Sequence, residues 1–120
     1  MSWDQSWTDV ADWYEQYSVG PAYTWARFLV PLLRDLQQTE EARGLYAHRW
    51  ATTVVVSRFG RLPDWAYGPR LELLPLHGGR LELRVFGPYR RKVYRRVLHE
   101  PHPRSDLTTW LDFVAEDKLP

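Results

Sequence analysis

The chain has 120 residues, of which 44% are hydrophobic and 26% are charged, and its formal net charge at pH 7 is +1. This composition is typical of a folded globular protein and excludes a disordered chain, so we predict one domain spanning residues 1–120. The absence of cysteine excludes a disulfide framework, thiol catalysis and a thiolate metal site.

No targeting or membrane-spanning segment is predicted from the sequence. Residues 1–20 carry acids instead of the basic start and apolar centre of a secretory signal. The longest apolar run, residues 28–33, is far shorter than a membrane span. We therefore expect a cytoplasmic protein with no membrane partner.

The first predicted element is an amphipathic helix over residues 3–17. Its apolar stripe, which has helical spacing, consists of Trp3, Trp7, Val10, Tyr14 and Tyr17. Trp13 lies beside this stripe. Gly20 and Pro21 are expected to end this helix and to open the next one.

A second helical stretch is predicted over residues 22–43. Its apolar face consists of Trp25, Leu29, Leu32, Leu33 and Leu36. Pro31 should kink this stretch or divide it in two, because proline lacks the N–H that a helix interior needs. Gly44 is a suitable C-terminal stop.

The next elements are predicted strands. Residues 52–59 are rich in β-branched side chains and end at a glycine, which indicates a strand. Residues 61–69 contain two prolines and a glycine and are predicted to be a loop.

Residues 70–85 show the clearest hairpin pattern, because apolar and charged side chains alternate on both sides of a Gly78-Gly79 turn. A three-residue loop sets Glu72 opposite Arg84, and a two-residue loop loses that charge pair. Cross-strand pairs contribute about 0.2–1 kcal/mol each, which favours the three-residue loop. The same loop pairs Leu71 with Val85 and Leu73 with Leu83. Because Pro75 cannot donate to a sheet ladder, we expect a bulge or an edge position there.

Residues 90–98 allow two interpretations. As a strand, they complete a meander, but alternation then places either Arg95 or Arg96 on the core-facing side. As a helix, they have an apolar stripe opposite a basic one. The strand is favoured, because the segment is short and follows a tight Gly-Pro turn.

The last predicted element is a helix capped by Ser105 or Asp106. Its apolar face consists of Leu107, Trp110, Leu111 and Val114. Together these elements predict the α+β class, with two N-terminal helices, the second kinked at Pro31, an antiparallel meander of three to four strands, and a C-terminal helix.

Charge is distributed unevenly along the chain. Residues 1–20 contain four acids and no Lys or Arg, giving −4, whereas residues 80–104 contain seven Arg and one Lys against two Glu, giving +6. Residues 105–120 return to −3. Two explanations stay open, namely a surface that attracts anions and acidic helices that pack beside a basic sheet in the same molecule.

The candidate binding residues combine this basic segment with nearby aromatic side chains. Trp, Tyr and Arg are the residue types enriched at binding hot spots. Trp65 and Tyr67 belong to the predicted loop, and the other candidates are Arg84, Tyr89, Arg90, Arg91, Lys92, Tyr94, Arg95 and Arg96.

No catalytic or cofactor-binding constellation is present in the sequence. There is no glycine-rich phosphate loop and no nucleophile elbow. His99 and His102 flank Glu100, but they lie in an extended proline-containing segment and supply too few ligands for a metal site. We expect no cofactor, no metal and no catalytic residue.

These observations predict a non-enzymatic protein-binding module, such as an adaptor, an inhibitor or a subunit of a larger assembly. Its predicted partner is another protein with an acidic surface. The alternative is a nucleic-acid-binding module, in which the cations contact phosphates and Tyr89 or Tyr94 stacks on a base. A pI of about 8.1 is modest for that alternative.

A third possibility comes from a resemblance. The segment LELRVFGPYRRKVY resembles the central strands of RelE-type ribonuclease toxins through Leu81, Leu83, Arg84, Tyr89 and Arg90. The resemblance implies an RNA-cleaving enzyme. The chain departs from that family in its long helical start, which replaces an opening strand, and in its larger size.

Overall fold

The computed structural model describes residues 2–61, 68–87, 91–100 and 104–116. Over these ranges the chain forms three α-helices, five β-strands and three short 3-10 turns, in the α+β class predicted. In chain order, the helices and strands are α1 (Trp3–Tyr17), α2 (Leu29–Gln37), β1 (Tyr46–Trp50), β2 (Thr53–Ser57), β3 (Arg70–Pro75), β4 (Leu81–Phe86), β5 (Lys92–Leu98) and α3 (Arg104–Glu116).

The five strands form one antiparallel meander in the order β1-β2-β3-β4-β5. The predicted three-residue loop between β3 and β4 is confirmed, with Glu72 opposite Arg84 and Leu73 opposite Leu83. Gly78 and Gly79 in this loop have φ values of 80° and 74°, which L side chains rarely adopt. Gly79 also lies against the Glu100 carboxylate, which is 2.8 Å from where a Cβ would stand.

The expected edge position at Pro75 is confirmed locally, because β3 lies between β2 and β4 but has no β2 partner at Pro75. The ladder between β2 and β3 ends at the pair Val54–Leu73. Pro75 lies beyond that end, where no β2 residue is available to accept a hydrogen bond. Its missing N–H therefore removes nothing from the sheet.

Strand β1 was not predicted, and its turn explains why. A two-residue loop joins Trp50 to Thr53, and its first residue, Ala51, has a φ of 55°. Hairpin loops of this length usually contain glycine or asparagine at such a position. The sequence at 51–52 therefore carries no turn signal, although the backbone makes a tight reversal.

All three helices contribute to a core on one face of the sheet. Its largest fully buried side chains are Trp7, Tyr14, Leu29, Leu33, Leu36, Leu45, Leu71, Leu73, Leu81, Leu83, Leu107 and Leu111. Alternation along the strands turns the even-numbered residues of β3 and β4 to the opposite face, which we call the second face.

Helix α1 has the bounds predicted, and the Ser2 side chain caps it by accepting a hydrogen bond from the Gln5 N–H. The predicted apolar stripe is correct at Trp7, Val10 and Tyr14, but Tyr17 is 48% exposed. Tyr17 stacks on the Trp13 ring at 4.5 Å instead of entering the core.

The second helical stretch is divided, as predicted, into a 3-10 turn at Thr24–Ala26 and helix α2, but α2 ends at Gln37 and not at residue 43, and a separate 3-10 turn follows at Glu40–Ala42. Pro31 lies in the first turn of α2, where the N–H groups have no helical partner. Helix α3 begins at Arg104, so Ser105 and Asp106 lie in its first turn and neither is the cap. None of the helices in the described part of the chain has the length and apolar character needed to cross a membrane.

Candidate functional site

Residues Lys92–Leu98 form a strand, β5, which confirms the favoured interpretation of that segment. Alternation places Arg96 on the core-facing side, where its guanidinium donates to Asp106 of α3 at 3.0 Å. Tyr94 lies on the same side and stacks on Trp110 at 4.7 Å. The basic strand is thus joined to the acidic first turn of α3.

The second face carries a continuous chain of ion pairs that we call the charge ladder. Arg70 donates to Glu72 at 2.7 Å, and Arg84 lies 3.6 Å from the other Glu72 oxygen. Arg84 also donates to Glu82, which accepts a second hydrogen bond from Arg95 at 2.8 Å. The ladder therefore crosses β3, β4 and β5 with three guanidinium groups and two carboxylates.

Glu82 is the acid that connects β5 to this ladder. Its side chain is 9% exposed, whereas that of Arg95 is 53% exposed. The hydrogen bond from Arg95 lowers the pKa of Glu82, burial opposes this effect, and the hydrogen bond from Arg84 lowers the pKa further. The same bond to Glu82 raises the pKa of Arg95. Glu82 is therefore held in its charged form by two cations.

Four of the predicted binding residues are thus engaged within the molecule, since Arg84, Arg95 and Arg96 are paired with carboxylates and Tyr94 is stacked on Trp110. Arg91 and Lys92 are exposed and have no ion pair within the described ranges. The predicted residues Trp65, Tyr67, Tyr89 and Arg90 lie outside the described residues. Arg91, Lys92, Arg95 and Arg96 share one end of the molecule, and we call this group the cationic edge.

The outer edge of β1 and the residues flanking this strand receive hydrogen bonds from side chains of α1. Ala47 turns its N–H away from β2 and donates it to the Ser6 hydroxyl at 2.9 Å. The Leu45 carbonyl, which also points outward, accepts a hydrogen bond from the Trp7 indole at 2.9 Å. At the far end of the strand, the Tyr14 hydroxyl donates to the Thr52 carbonyl at 2.6 Å.

The pattern of backbone hydrogen bonds in the sheet shows which groups of β5 point away from β4. The Leu76 N–H donates to the Arg80 carbonyl, which fixes the alternation of backbone hydrogen bonds between β3 and β4. The backbone N–H and C=O groups of Glu82 and Arg84 therefore point toward β3. Those of Leu81, Leu83 and Val85 point toward β5. Their partners in β5 are Leu98, Arg96 and Tyr94. The residues between these partners, Arg95 and Val97, therefore turn their backbone groups outward. No hydrogen bond to those groups is found within the described ranges.

Sequence reasoning missed Glu72 and Glu82 as determinants of which cations are available. The strand pattern contained the necessary information, because Glu82 and Arg84 are two residues apart on one strand and therefore share a face of the sheet. The predicted pairing of Glu72 with Arg84 pointed to the same cluster. Extending that register to β5 would have placed Arg95 directly opposite Arg84, an arrangement that requires a nearby acid.

The histidines have ordinary structural contacts. The His77 ring stacks on Trp25 at 4.4 Å, and the His48 Nε2 lies 2.9 Å from the Phe59 carbonyl oxygen. His99 is exposed, and His102 lies outside the described residues. Within the described ranges, no group of three or more His, Asp or Glu could hold a metal ion.

Comparison with protein-family models, with curated proteins and with solved structures found no match to this chain. The resemblance to RelE-type toxins stays a prediction. Of its polar residues, Arg84 is engaged in the charge ladder, and Tyr89 and Arg90 lie outside the described residues.

Proposed function

We propose that this chain is a non-enzymatic protein-binding module whose cationic edge contacts an acidic surface of another protein. The observation that carries this proposal is the exposure of Arg91 and Lys92 without an ion pair in the described part of the chain. Arg95 and Arg96 extend the same surface, with side chains 53% and 55% exposed. Each retains guanidinium N–H groups beyond the one it donates internally.

Apolar contacts next to these charges favour a protein partner. Val93 is 37% exposed, and the next residue, Tyr94, stacks on Trp110 on the side of the strand that faces α3. Protein interfaces combine such apolar and aromatic groups with arginine. The partner would gain specificity from the charges and buried area from the apolar groups.

The nucleic-acid alternative is supported less well by the same geometry. Phosphate binding draws its affinity from many unpaired cations, because each contact releases counterions. Arg84, Arg95 and Arg96 are already paired with carboxylates. Tyr94, which was predicted to stack on a base, already stacks on Trp110.

The test is affinity capture from a native lysate with the full chain and two matched variants. The first variant combines Arg91→Glu and Lys92→Glu. The control combines Arg27→Glu and Arg43→Glu, which make the same charge change at exposed positions outside strand β5. We expect the wild type and the control to capture an acidic protein that the first variant does not.

Equal capture by both variants would contradict this proposal, as would the absence of any specific protein. Capture that is abolished by nuclease treatment would favour the nucleic-acid alternative. A direct check is titration with single-stranded poly-uridine RNA at low salt, which should give no saturable binding if the partner is a protein.

A further inference from the structure

The cationic edge is also an unpaired strand of the sheet. Strand β5 is the last in the order β1-β2-β3-β4-β5, and the backbone groups of Arg95 and Val97 point away from β4. An exposed edge of this kind can accept a further strand through main-chain hydrogen bonds. Building on the proposed function, we infer that the partner presents an extended acidic segment that pairs with β5 as a sixth strand.

The charges on β5 select the occupant. Residues 91–98 contain Arg91, Lys92, Arg95 and Arg96 and no acid. A strand laid beside β5 places its side chains directly opposite these cations, and opposite-charge pairs across a ladder are stabilising. Acidic residues opposite Arg95 and Arg96 would therefore pair on both faces of the extended sheet.

The same charges disfavour a second copy of this chain. If two β5 strands paired antiparallel about Arg95, the two Arg95 side chains would be directly opposite each other and Arg96 would be opposite Tyr94. If the register shifted by two residues, the two Arg96 side chains would be opposite each other instead. Like charges directly opposite each other destabilise a ladder. The edge is thus protected against self-pairing and remains open to an acidic strand.

Internal ion pairs do not block this arrangement. Glu82 and Asp106 approach Arg95 and Arg96 from the two faces of the sheet, and neither lies along the outer edge of the strand. The outward N–H groups of Arg95 and Val97 are separate from these side-chain contacts. A partner strand would therefore add main-chain bonds without breaking the charge ladder.

The test uses a peptide as long as β5, in which valine and threonine flank a central Glu-Glu pair. The matched control is the same peptide with alternate backbone nitrogens methylated, which keeps its charge but removes the donors needed for a ladder. Binding to the full chain is measured by NMR titration, with amide hydrogen exchange recorded residue by residue.

We expect the unmethylated peptide to bind and to slow exchange at Arg95 and Val97 at least tenfold. Exchange at Tyr94 and Arg96, whose N–H groups already face β4, should change little. The methylated peptide should bind at least tenfold more weakly. This pattern distinguishes strand pairing from charge attraction alone.

Equal binding of both peptides, without protection at Arg95 and Val97, would overturn strand addition and leave the proposed binding of an acidic protein intact. Failure of both peptides to bind would also overturn it, and the lysate capture would then decide the proposed function separately. Protection that rises with protein concentration in the absence of peptide would show that a second copy occupies the edge, which would overturn the inference as well.

Discussion

The two outer strands of the sheet differ in what covers their backbone. At β1, the α1 side chains of Ser6 and Trp7 hydrogen-bond to outward groups of Ala47 and Leu45. At β5, the neighbouring acids bind guanidinium groups and leave the outer main chain uncovered in the described part of the molecule. We call the β1 side, which receives hydrogen bonds from a helix, the closed edge. We call the β5 side, which carries the cations, the guarded edge. The difference shows that α1 supplies hydrogen-bond partners at the β1 side, whereas the acids near β5 bind side chains and not its outer main chain.

Among substitutions that test this difference between the two edges, Trp7→Ala at the closed edge should have the largest effect on stability. The Trp7 side chain is fully buried and donates to Leu45, so its removal leaves a cavity and an unpaired carbonyl. We expect the free energy of unfolding to fall by about 3–5 kcal/mol. Urea denaturation measures the change, with Trp50→Ala as the control because Trp50 is a tryptophan of β1 itself and is 61% exposed. Similar losses for the two variants would contradict the closed edge.

Removing a single hydroxyl from the closed edge should have a smaller effect. Ser6→Ala leaves the buried N–H of Ala47 without its acceptor. The expected loss is about 1–3 kcal/mol of unfolding free energy, with faster amide exchange at Ala47. Thr109→Ala is a suitable control, because the Thr109 hydroxyl bonds only within its own exposed helical turn. Unchanged exchange at Ala47 would show that Ser6 does not close the edge.

At the guarded edge, Glu82→Gln tests whether the charge ladder holds β5 in place. The variant keeps the side-chain shape but removes the charge that Arg84 and Arg95 share. We expect a loss of about 1–2 kcal/mol at neutral pH, since both guanidinium groups are partly exposed to solvent. Asp112→Asn, at an exposed acid of α3, provides a matched control.

The same variant should change the dependence of stability on pH. Folding lowers the pKa of Glu82 below its ordinary value of 4.5. Its contribution is therefore fully present above pH 4.5 and is lost as the pH falls through the lowered pKa of the folded state. Urea denaturation at a series of acidic pH values should show a shallower decline for Glu82→Gln than for the wild type. Parallel declines would contradict the role assigned to this carboxylate.

The smallest effect is expected from Arg96→Ala. Its ion pair with Asp106 joins two side chains that are 55% and 35% exposed, and such pairs contribute little in water. The expected loss is about 0.5 kcal/mol or less. A loss above that of Glu82→Gln would mean that α3, and not the charge ladder, holds β5 in place.

The sequence predicted the existence of the helices, the bounds of α1 and the central hairpin, because these patterns are local; it did not give the bounds of α2 and α3. The alternation around Gly78-Gly79 was sufficient to give the register of β3 and β4. Strand β1 was not predicted, because Ala51 occupies a turn position with positive φ at which sequence patterns expect glycine. The availability of each arginine could not be predicted either, because it depends on acids that reach it across strands, as Glu82 reaches Arg95.

The asymmetry of the sheet has a consequence for assembly. Head-to-tail growth of a fibre through edge strands needs two open sides on every subunit, so that each copy can both offer and accept a strand. Here the hydroxyl of Ser6 and the indole of Trp7 occupy backbone groups on one side. A strand added at β5 would widen the sheet by about 4.8 Å, whereas a strand added at β1 would have to displace these two hydrogen bonds. The two sides of the sheet are therefore not equivalent, which disfavours head-to-tail growth through edge strands.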